Sequence, residues 1–328
     1  MLAEHFSAYT QWRGNVASGI GELRKWLQLN EIGDAQSDLR LQYLLDRLRE
    51  DKLIVAFVAE FSRGKSELIN AVFFAGYGNR ILPSSAGRTT MCPTELQWKD
   101  GDKPEIRLLP IESRKTNASI TELKRYPEEW QIRPLDTSSA ESLQQALAQV
   151  GETRLASQTE AEELGFPIDA SGDHGIRPDA EGQLEIPRWR HAIIQFPHPL
   201  LEQGLVILDT PGLNAIGAEP ELTLNLLPNA HAVLFILAAD TGVTQSDLAV
   251  WREHVNAGRR QRGRIVALNK IDGLWDGLRS EDDIEREITG QVESVANTLE
   301  VDPSQVYPVS AQKGLVAKVN DDPELLAR

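Results

Sequence analysis

An α/β fold with a mostly parallel sheet, covered by helices on both faces, is predicted by two features of the sequence. Apolar runs of strand length recur from residue 53 onward, and amphipathic segments of helical length separate the later ones. Such alternation is typical of a parallel sheet with helices on its two faces. The strand runs are LIVAFVA (53–59), RHAIIQF (190–196), GLVILD (204–209), HAVLFILAAD (231–240) and RGRIVALNK (262–270), and the helical segments are QSDLAVWREHVNA (245–257) and EDDIEREITGQVESVANTLE (281–300).

The chain divides into two predicted parts. Residues 1–51 are expected to form two N-terminal helices, because apolar residues recur there at spacings of three and four, with a break at NEIGD. The apolar stripe of the first helix is long enough to need a partner helix, although it could also pack against the neighbouring globule. Residues 52–328 are expected to form the α/β domain.

An insertion at about 97–190 enlarges that domain, since this stretch is polar and interrupted by prolines. Its segment TSSAESLQQALAQV predicts a helix capped by Ser138 or Ser139. Its segment DASGDHGIRPDAEGQ predicts a solvated loop. The insertion is therefore expected to be an elaboration of one domain rather than a separate fold.

Composition excludes several classes of function. The chain carries 49 acidic and 34 basic residues, a net charge of −15, so no nucleic acid partner is expected, nor unspecific binding to anionic lipid. The single cysteine, Cys92, excludes an intrachain disulfide and a cysteine-rich zinc site and favours a reducing, intracellular setting. No apolar stretch reaches the roughly 20 residues that cross a bilayer. A cytoplasmic protein is expected, with any contact at the inner membrane peripheral.

The segment VAEFSRGKS (58–66) indicates a phosphate-binding loop whose first glycine is replaced by Ala59. Such a loop follows a buried strand and opens a helix, so that its backbone N–H groups converge on phosphate. Gly64 permits close approach, Lys65 supplies positive charge to the β- and γ-phosphates, and Ser66 is a magnesium ligand. A chance strand–turn–helix is the alternative, which only further motifs exclude.

A second motif, LVILDTPGLN (205–214), places an acid at a strand end. Asp209 is expected to reach magnesium through water, and the backbone N–H of Gly212 to contact the γ-phosphate, whose loss would release the loop.

A third candidate element is the threonine that completes the magnesium site. AGRTTMCPTEL (86–96) offers Thr89, Thr90 and Thr94, of which Thr90 is favoured.

A guanine site is indicated by ALNKIDG (267–273) and YPVSAQKG (307–314). Guanine presents N1–H and the N2 amino group side by side, and the Asp272 carboxylate can accept both, whereas adenine has no such donor pair. The remaining expected contacts come from the bracing Asn269, the Lys270 stem over the ring, and the Ser310–Ala311 pair at guanine O6. The predicted nucleotide-contacting residues are Glu60, Gly64, Lys65, Ser66, Glu67, Asp209, Gly212, Asn269, Lys270, Asp272, Ser310, Ala311 and Gln312, with Ser66, Thr90 and Asp209 at Mg²⁺.

With these motifs in this order, the sequence resembles the dynamin superfamily of large GTPases, most closely its bacterial dynamin-like members. The segments that carry the resemblance are AEFSRGKSELINA, GRTTMCPTEL, FPHPLLEQGLVILDTPGLN, LNKID and VSAQKG, within about residues 53–315. The resemblance implies a P-loop GTPase fold that binds GTP and GDP. It also implies that the N-terminal helices are similar to part of a helical neck, which in this family is built with residues beyond the GTPase domain. The chain is therefore expected to be a truncated GTPase domain or a short member.

The resemblance also implies how hydrolysis proceeds. Leu213 occupies the position of the glutamine that orients water in Ras-like enzymes, so other groups must do this. Carried over from the family, the expected catalytic residues are Ser62 near the β–γ bridge, Lys65, the switch residue Thr90 and Arg63 as an internal arginine finger. The alternative for Arg63 is a solvent-facing loop arginine. A monovalent cation, K⁺ or Na⁺, is a further expected cofactor.

Three functional hypotheses follow. The first is a GTPase that dimerises with itself across the nucleotide face and remodels membrane in the full-length protein, through lipid-binding regions outside this chain. The second is a GTP-dependent switch or assembly factor that acts on a protein partner without remodelling. The third is a nucleotide-binding scaffold with negligible turnover, which Ala59, Glu60 and Leu213 would permit.

Overall fold

The computed structural model describes residues 2–49, 52–82, 92–99, 101–116, 118–166, 179, 181–212, 226–256, 263–275 and 279–327. Within them the strands are β1 Leu53–Ala59, β2 Thr94–Gln97, β3 Glu105–Pro110, β4 Gln131–Pro134, β5 Thr153–Ala156, β6 Leu184–Pro187, β7 Trp189–Gln195, β8 Leu205–Asp209, β9 Ala232–Ala238, β10 Arg264–Asn269 and β11 Val306–Pro308. The helices are α1 Leu2–Leu29, α2 Ala35–Arg49, α3 Lys65–Ile69, α4 Ile120–Leu123, α5 Ala140–Ala148, α6 Gln158–Glu163, α7 Pro199–Glu202, α8 Leu227–Asn229, α9 Gln245–Val250, α10 Glu281–Leu299, α11 Ala311–Val319 and α12 Pro323–Ala327.

A mixed sheet forms the centre of the molecule, in the order β11-β10-β9-β1-β8-β2-β7-β3-β4. Its first five strands are parallel neighbours, whereas β2 pairs with β8 in antiparallel orientation and β7 with β2 in parallel orientation. The predicted α/β fold, mostly parallel and covered by helices, is therefore confirmed. Because the parallel strands end at one edge, the loops that follow β1, β8 and β10 meet there.

Two apolar layers cover the sheet and fix its register. One contains Phe57, Phe73 and Ile207 with residues of α5, and the other contains Val58, Leu208 and Trp251 with residues of α10. Adjacent residues of β1 thus point into opposite layers, as the two-residue period of a strand requires. Since both faces of β1 are buried, a shift in register would expose apolar side chains on both.

The region predicted to be an insertion contributes strands to the main sheet. Strands β3 and β4 extend it beyond β7, so this region widens the domain, while β5 and β6 form a separate two-stranded sheet. Helix α5 begins where the capping signal predicts, with Ser139 accepting a hydrogen bond from the N–H of Ser142. Most of the predicted solvated loop at 169–183 lies outside the described residues.

The N-terminal segment consists of the two helices α1 and α2, which are joined by a salt bridge from Arg24 Nε to Asp38 Oδ1 of 2.7 Å. Among the described side chains of the α1 stripe, Trp12 and Leu23 are 57% and 48% exposed, whereas Val16, Ile20 and Leu27 are half-buried. None of the described helices has the length and apolar character of a membrane span. The boundary between this segment and the α/β domain stays a prediction.

Candidate functional site

The loop between β1 and α3 has the backbone of a phosphate cradle. Ser62 and Gly64 both have positive φ, 62° and 87°, and Gly64 is the N-cap residue that immediately precedes helix α3. Ala59 lies within β1 and is fully buried, so a side chain is accommodated at the substituted position. Since a left-handed backbone disfavours residues with a Cβ, the conformation of Ser62 is a local strain that the surrounding contacts must stabilise.

Lys65 and Asp209 meet at the end of the sheet. Lys65 Nζ donates a hydrogen bond to Asp209 Oδ1, and both side chains are about nine-tenths buried. Parallel pairing of β1 with β8 brings their C-terminal ends together, which places the acid beside the start of α3. Ser66 lies in the first turn of that helix and is half-buried. A serine hydroxyl and a carboxylate are hard oxygen donors, which are the ligands that Mg²⁺ prefers.

The loop after β8 lies against the phosphate loop. A Cβ added to Gly212 would be 3.4 Å from the backbone nitrogen of Phe61, so the two loops approach closely at this point. Thr210, which is fully buried, donates its hydroxyl to the carbonyl of Phe57 at 2.9 Å and fixes the start of the loop. Phe61 itself is 51% exposed, an unusual position for a large apolar side chain at a polar site.

Asn269 joins three loops. Its Nδ2 donates to the carbonyl of Arg63 at 3.0 Å, and its Oδ1 accepts from the N–H of Ala311 at 2.9 Å. The side chain is buried, and a Cβ added to Gly64 would come within 2.2 Å of Asn269 Nδ2. The glycine is therefore required both by its positive φ and by this contact. Asn269 thus braces the phosphate loop against the predicted guanine loops.

Two of the predicted guanine-binding residues, Asp272 and Ser310, are in direct contact. Ser310 Oγ donates to Asp272 Oδ1 at 2.6 Å, which orients the carboxylate. Lys270 has a φ of 64°, and its Nζ donates to Asp240 Oδ2 at 2.9 Å. Gln312, the next residue after Ala311 in α11, is exposed. A carboxylate held by a neighbouring hydroxyl at the end of a parallel sheet can accept the two adjacent donors of a guanine ring.

Arg63 is held by residues that the sequence did not indicate. Its Nη2 donates to Asp247 Oδ2 at 2.8 Å and its Nε to Asp247 Oδ1 at 3.4 Å, and further bonds reach the hydroxyls of Thr241 and Thr244. Breaking a buried ion pair of this kind costs about 3–5 kcal/mol. The alternative of a solvent-facing arginine is wrong, since Arg63 is 8% exposed. The arginine finger remains a prediction, and it requires Arg63 to leave Asp247.

The remaining predicted residues take separate positions. Glu60 is buried at the start of the loop, and the Glu67 side chain forms a bidentate ion pair with Arg80, with Arg80 Nη2 2.7 Å from Glu67 Oε1. Thr94 lies in β2 opposite Asp209, and its hydroxyl donates to the carbonyl of Cys92. The favoured Thr90, together with Thr89 and Leu213, lies outside the described residues.

These contacts define a class of protein. A loop with the backbone of a phosphate cradle, a lysine beside an acid, and a carboxylate held by a neighbouring hydroxyl lie together at the end of a mostly parallel sheet, and this arrangement is typical of a P-loop GTPase. The model of the dynamin family matches residues 55–271, more than half of the chain. The chain therefore belongs to the dynamin family and contains its GTPase domain, the enzyme domain that hydrolyses GTP to GDP and phosphate.

Individual relatives resemble this chain in sequence, and a solved structure resembles it in fold. A bacterial dynamin-like protein of Nostoc punctiforme is 29% identical over 111 residues, which cover 33% of this chain and 15% of the relative. Dynamin-like protein A of Bacillus subtilis is 22% identical over 289 residues, 83% of this chain and 23% of the relative. A solved structure of an oligomerised bacterial dynamin pair has 19% identity and a TM-score of 0.50, covering 95% of this chain and 40% of that one. The chain thus spans less than a quarter of either curated relative.

Proposed function

We propose that this domain binds and hydrolyses GTP in a magnesium-dependent reaction that is completed by dimerisation across the nucleotide face. The observation that carries the proposal is the junction at Asn269, where one buried amide holds the phosphate loop through the carbonyl of Arg63 and the guanine loop through the N–H of Ala311. A junction of this kind sets the distance between a phosphate cradle and a carboxylate that recognises the base. It therefore supports a ligand that carries both phosphates and a guanine base.

The residues at the start of α3 fit a magnesium–phosphate group. Ser66 and Thr90 are the proposed direct ligands, Asp209 the ligand through water, and Lys65 the cation that turns from Asp209 to the phosphates. Bound magnesium supplies positive charge that stabilises the transferring phosphoryl group. The close approach of Gly212 to the phosphate loop at Phe61 supports a role for the loop after β8 in contacting the γ-phosphate.

Water must be positioned without a glutamine, since Leu213 follows the glycine of the second motif. We assign this role to Ser62, whose backbone at a φ of 62° lies in the phosphate cradle, together with Thr90 and a monovalent cation. A second copy that covers the nucleotide face would order these groups. It would also exclude water, which strengthens their electrostatic interactions with the phosphates. The scaffold hypothesis with negligible turnover requires that this ordering never occurs.

Self-association across the nucleotide face is supported by Phe61, which is half-exposed beside Gly212 on the loop that surrounds the phosphates. The structural relative is described as an oligomerised bacterial dynamin pair, which supports self-association for a protein of similar fold. In the full-length protein, hydrolysis would move the N-terminal helices α1 and α2 as part of a neck and so remodel membrane. Lipid contact would come from regions outside this chain, with the domain in the cytoplasm or peripheral at the inner membrane.

The test is the mass of the protein in solution without nucleotide, with GDP, and with GDP plus aluminium fluoride, which mimics the transferring phosphoryl group. A dimer in the last condition, with specific activity that rises with protein concentration, is expected. Phe61→Ser should weaken that dimer and leave GDP binding intact, whereas Tyr126→Ser, at a similarly exposed residue of the insertion, is the matched control. A monomer in every condition, with turnover independent of concentration, would favour the switch hypothesis.

A further inference from the structure

The phosphate loop is in contact with a segment that lies outside all of the nucleotide motifs. This segment, residues 239–247, connects β9 to the first turn of α9 and touches both halves of the site. Ala239 donates its N–H to the carbonyl of Asn269 at 2.8 Å, and Asp240 pairs with Lys270. At its other end, Asp247 binds Arg63 of the phosphate loop.

Asp247 is organised to receive Arg63. It is fully buried, and its Oδ2 accepts hydrogen bonds from the backbone N–H and the hydroxyl of Thr244, at 3.0 and 2.8 Å, as well as from Arg63. Thr244 and Asp247 form the capping box of α9, which fixes the carboxylate on a helix. A guanidinium bound in a fork to a carboxylate that is itself held by two donors has little freedom to rotate.

The backbone at Arg63 needs such an anchor. Its two neighbours, Ser62 and Gly64, both have positive φ, and its own carbonyl accepts from Asn269 Nδ2. A strained backbone persists where its surroundings hold it from several directions. Arg63 is held at its carbonyl by the guanine side of the site and at its guanidinium by the 239–247 segment.

From this geometry we propose that Arg63 is a positioning residue. Its ion pair with Asp247, supported by Thr241 and Thr244, keeps the phosphate loop in its binding conformation and connects it to the 239–247 segment. The proposal rests on the GTPase function proposed above and specifies how that same site is built. It differs from the arginine finger in its consequence, because a finger acts on the transition state whereas this pair acts on the loop before any nucleotide binds.

A double-mutant cycle separates these roles. Binding of GDP carrying a methylanthraniloyl fluorophore is titrated in the wild type, Arg63→Met, Asp247→Asn and the double variant, and kcat is measured at saturating GTP. Each single variant should weaken GDP binding by about tenfold, and the double variant should bind no more weakly than the poorer single variant. Non-additivity of this size is the mark of two residues that act as one unit.

Two controls isolate the effect from helix capping and from folding. Asp283→Asn makes the same change at the same position of helix α10, where the carboxylate also contacts an arginine, Arg286, and it should leave GDP binding unchanged. Thr241→Val removes a bond to Arg63 and keeps the α9 cap intact, so it serves if Asp247→Asn does not fold. It should weaken GDP binding in the wild-type background and have no further effect in Arg63→Met.

Three results would overturn the proposal. Losses that add in the double variant, or an equal effect of Thr241→Val in both backgrounds, would mean that the residues act separately. A fall in kcat of a thousandfold in Arg63→Met with unchanged GDP binding would identify a finger instead. If the wild type itself fails to bind GDP, the proposed function is wrong. If the wild type binds GDP but the losses in the variants add, only this inference is contradicted.

Discussion

Replacing Gly64 by alanine should damage nucleotide binding through one identifiable contact. The residue has a φ of 87°, and the added Cβ would lie 2.2 Å from Asn269 Nδ2, a distance that no Cβ contact tolerates. Asn269 would have to move, and it would then lose its bonds to the carbonyl of Arg63 and the N–H of Ala311. The substitution therefore strains the loop and disconnects it from the guanine side.

The loss in the free energy of unfolding follows from the backbone strain and from the broken hydrogen bonds. A residue with a Cβ in the left-handed region costs about 1–2 kcal/mol. Two buried hydrogen bonds contribute about 0.5–1.5 kcal/mol each. The free energy of unfolding should therefore fall by about 2–5 kcal/mol. Because the loss of the Asn269 contacts leaves the cradle unformed, GDP affinity should fall by at least about tenfold, which corresponds to about 1.4 kcal/mol.

Gly165→Ala is the matched control. Gly165 has a φ of 78°, and an added Cβ would meet nothing within 4 Å, so this variant introduces the backbone strain without the clash. Urea unfolding and titration of fluorescent GDP are measured on both variants. Gly165→Ala should lose about 1–2 kcal/mol of stability and bind GDP normally. Equal stability losses in the two variants, with normal GDP binding in Gly64→Ala, would refute the role assigned to the Asn269 contact.

Three further predictions concern other parts of the molecule. Asp272→Asn should weaken GTP binding and favour xanthosine triphosphate, since an amide donates to the O2 carbonyl of xanthine; unchanged GTP selectivity would contradict the guanine site. Ser139→Ala should lower the free energy of unfolding by about 1 kcal/mol, whereas Ser138→Ala should not, as urea unfolding would show. Burial raises the pKa of Glu95, but Lys124 and His191 outweigh burial and hold this pKa well below its usual range. Glu95→Gln should therefore lower the free energy of unfolding at pH 7, and the difference between variant and wild type should shrink in acid.

The sign of the last effect follows from linkage. Because the pKa of Glu95 is lower in the folded state, its ionised form contributes stability above the pKa of the unfolded chain, about 4.3. That contribution is lost as the pH falls below this value towards the folded pKa. Urea unfolding of the wild type and Glu95→Gln at pH 7 and pH 4 measures the difference. A larger difference at pH 4 than at pH 7 would contradict the assignment of an ionised Glu95.

The central strands could be predicted because burial on both faces gives continuous apolar runs, as in LIVAFVA of β1. The strands β3 and β4 could not, since EIRLLP is short and the edge strand QIRP is mostly exposed, so neither has a distinctive pattern. The helix predicted at 245–257 begins at Gln245 as expected, but continues from Trp251 to Val255 as a π-helical turn. Local apolar spacing does not distinguish that turn from an α-helix.

The nucleotide motifs were recognisable because each one combines a strand end with residues whose chemistry is specific. Their positions in the fold then follow from parallel pairing, which brings the ends of β1, β8 and β10 to one edge. The partner of Arg63 was not predictable, because Asp247 is 184 residues away and appears in the sequence only as a helix-capping acid. The exposure of Phe61 likewise depends on which loops surround it.

The central claim is that this chain hydrolyses GTP at the site formed by Lys65, Ser66 and Asp272. The most direct test is release of inorganic phosphate from GTP and from ATP, with and without magnesium, in the wild type and in Lys65→Ala. Magnesium-dependent release from GTP alone, abolished in Lys65→Ala, is the expected result. Equal release from ATP, or normal turnover in Lys65→Ala, would contradict the account.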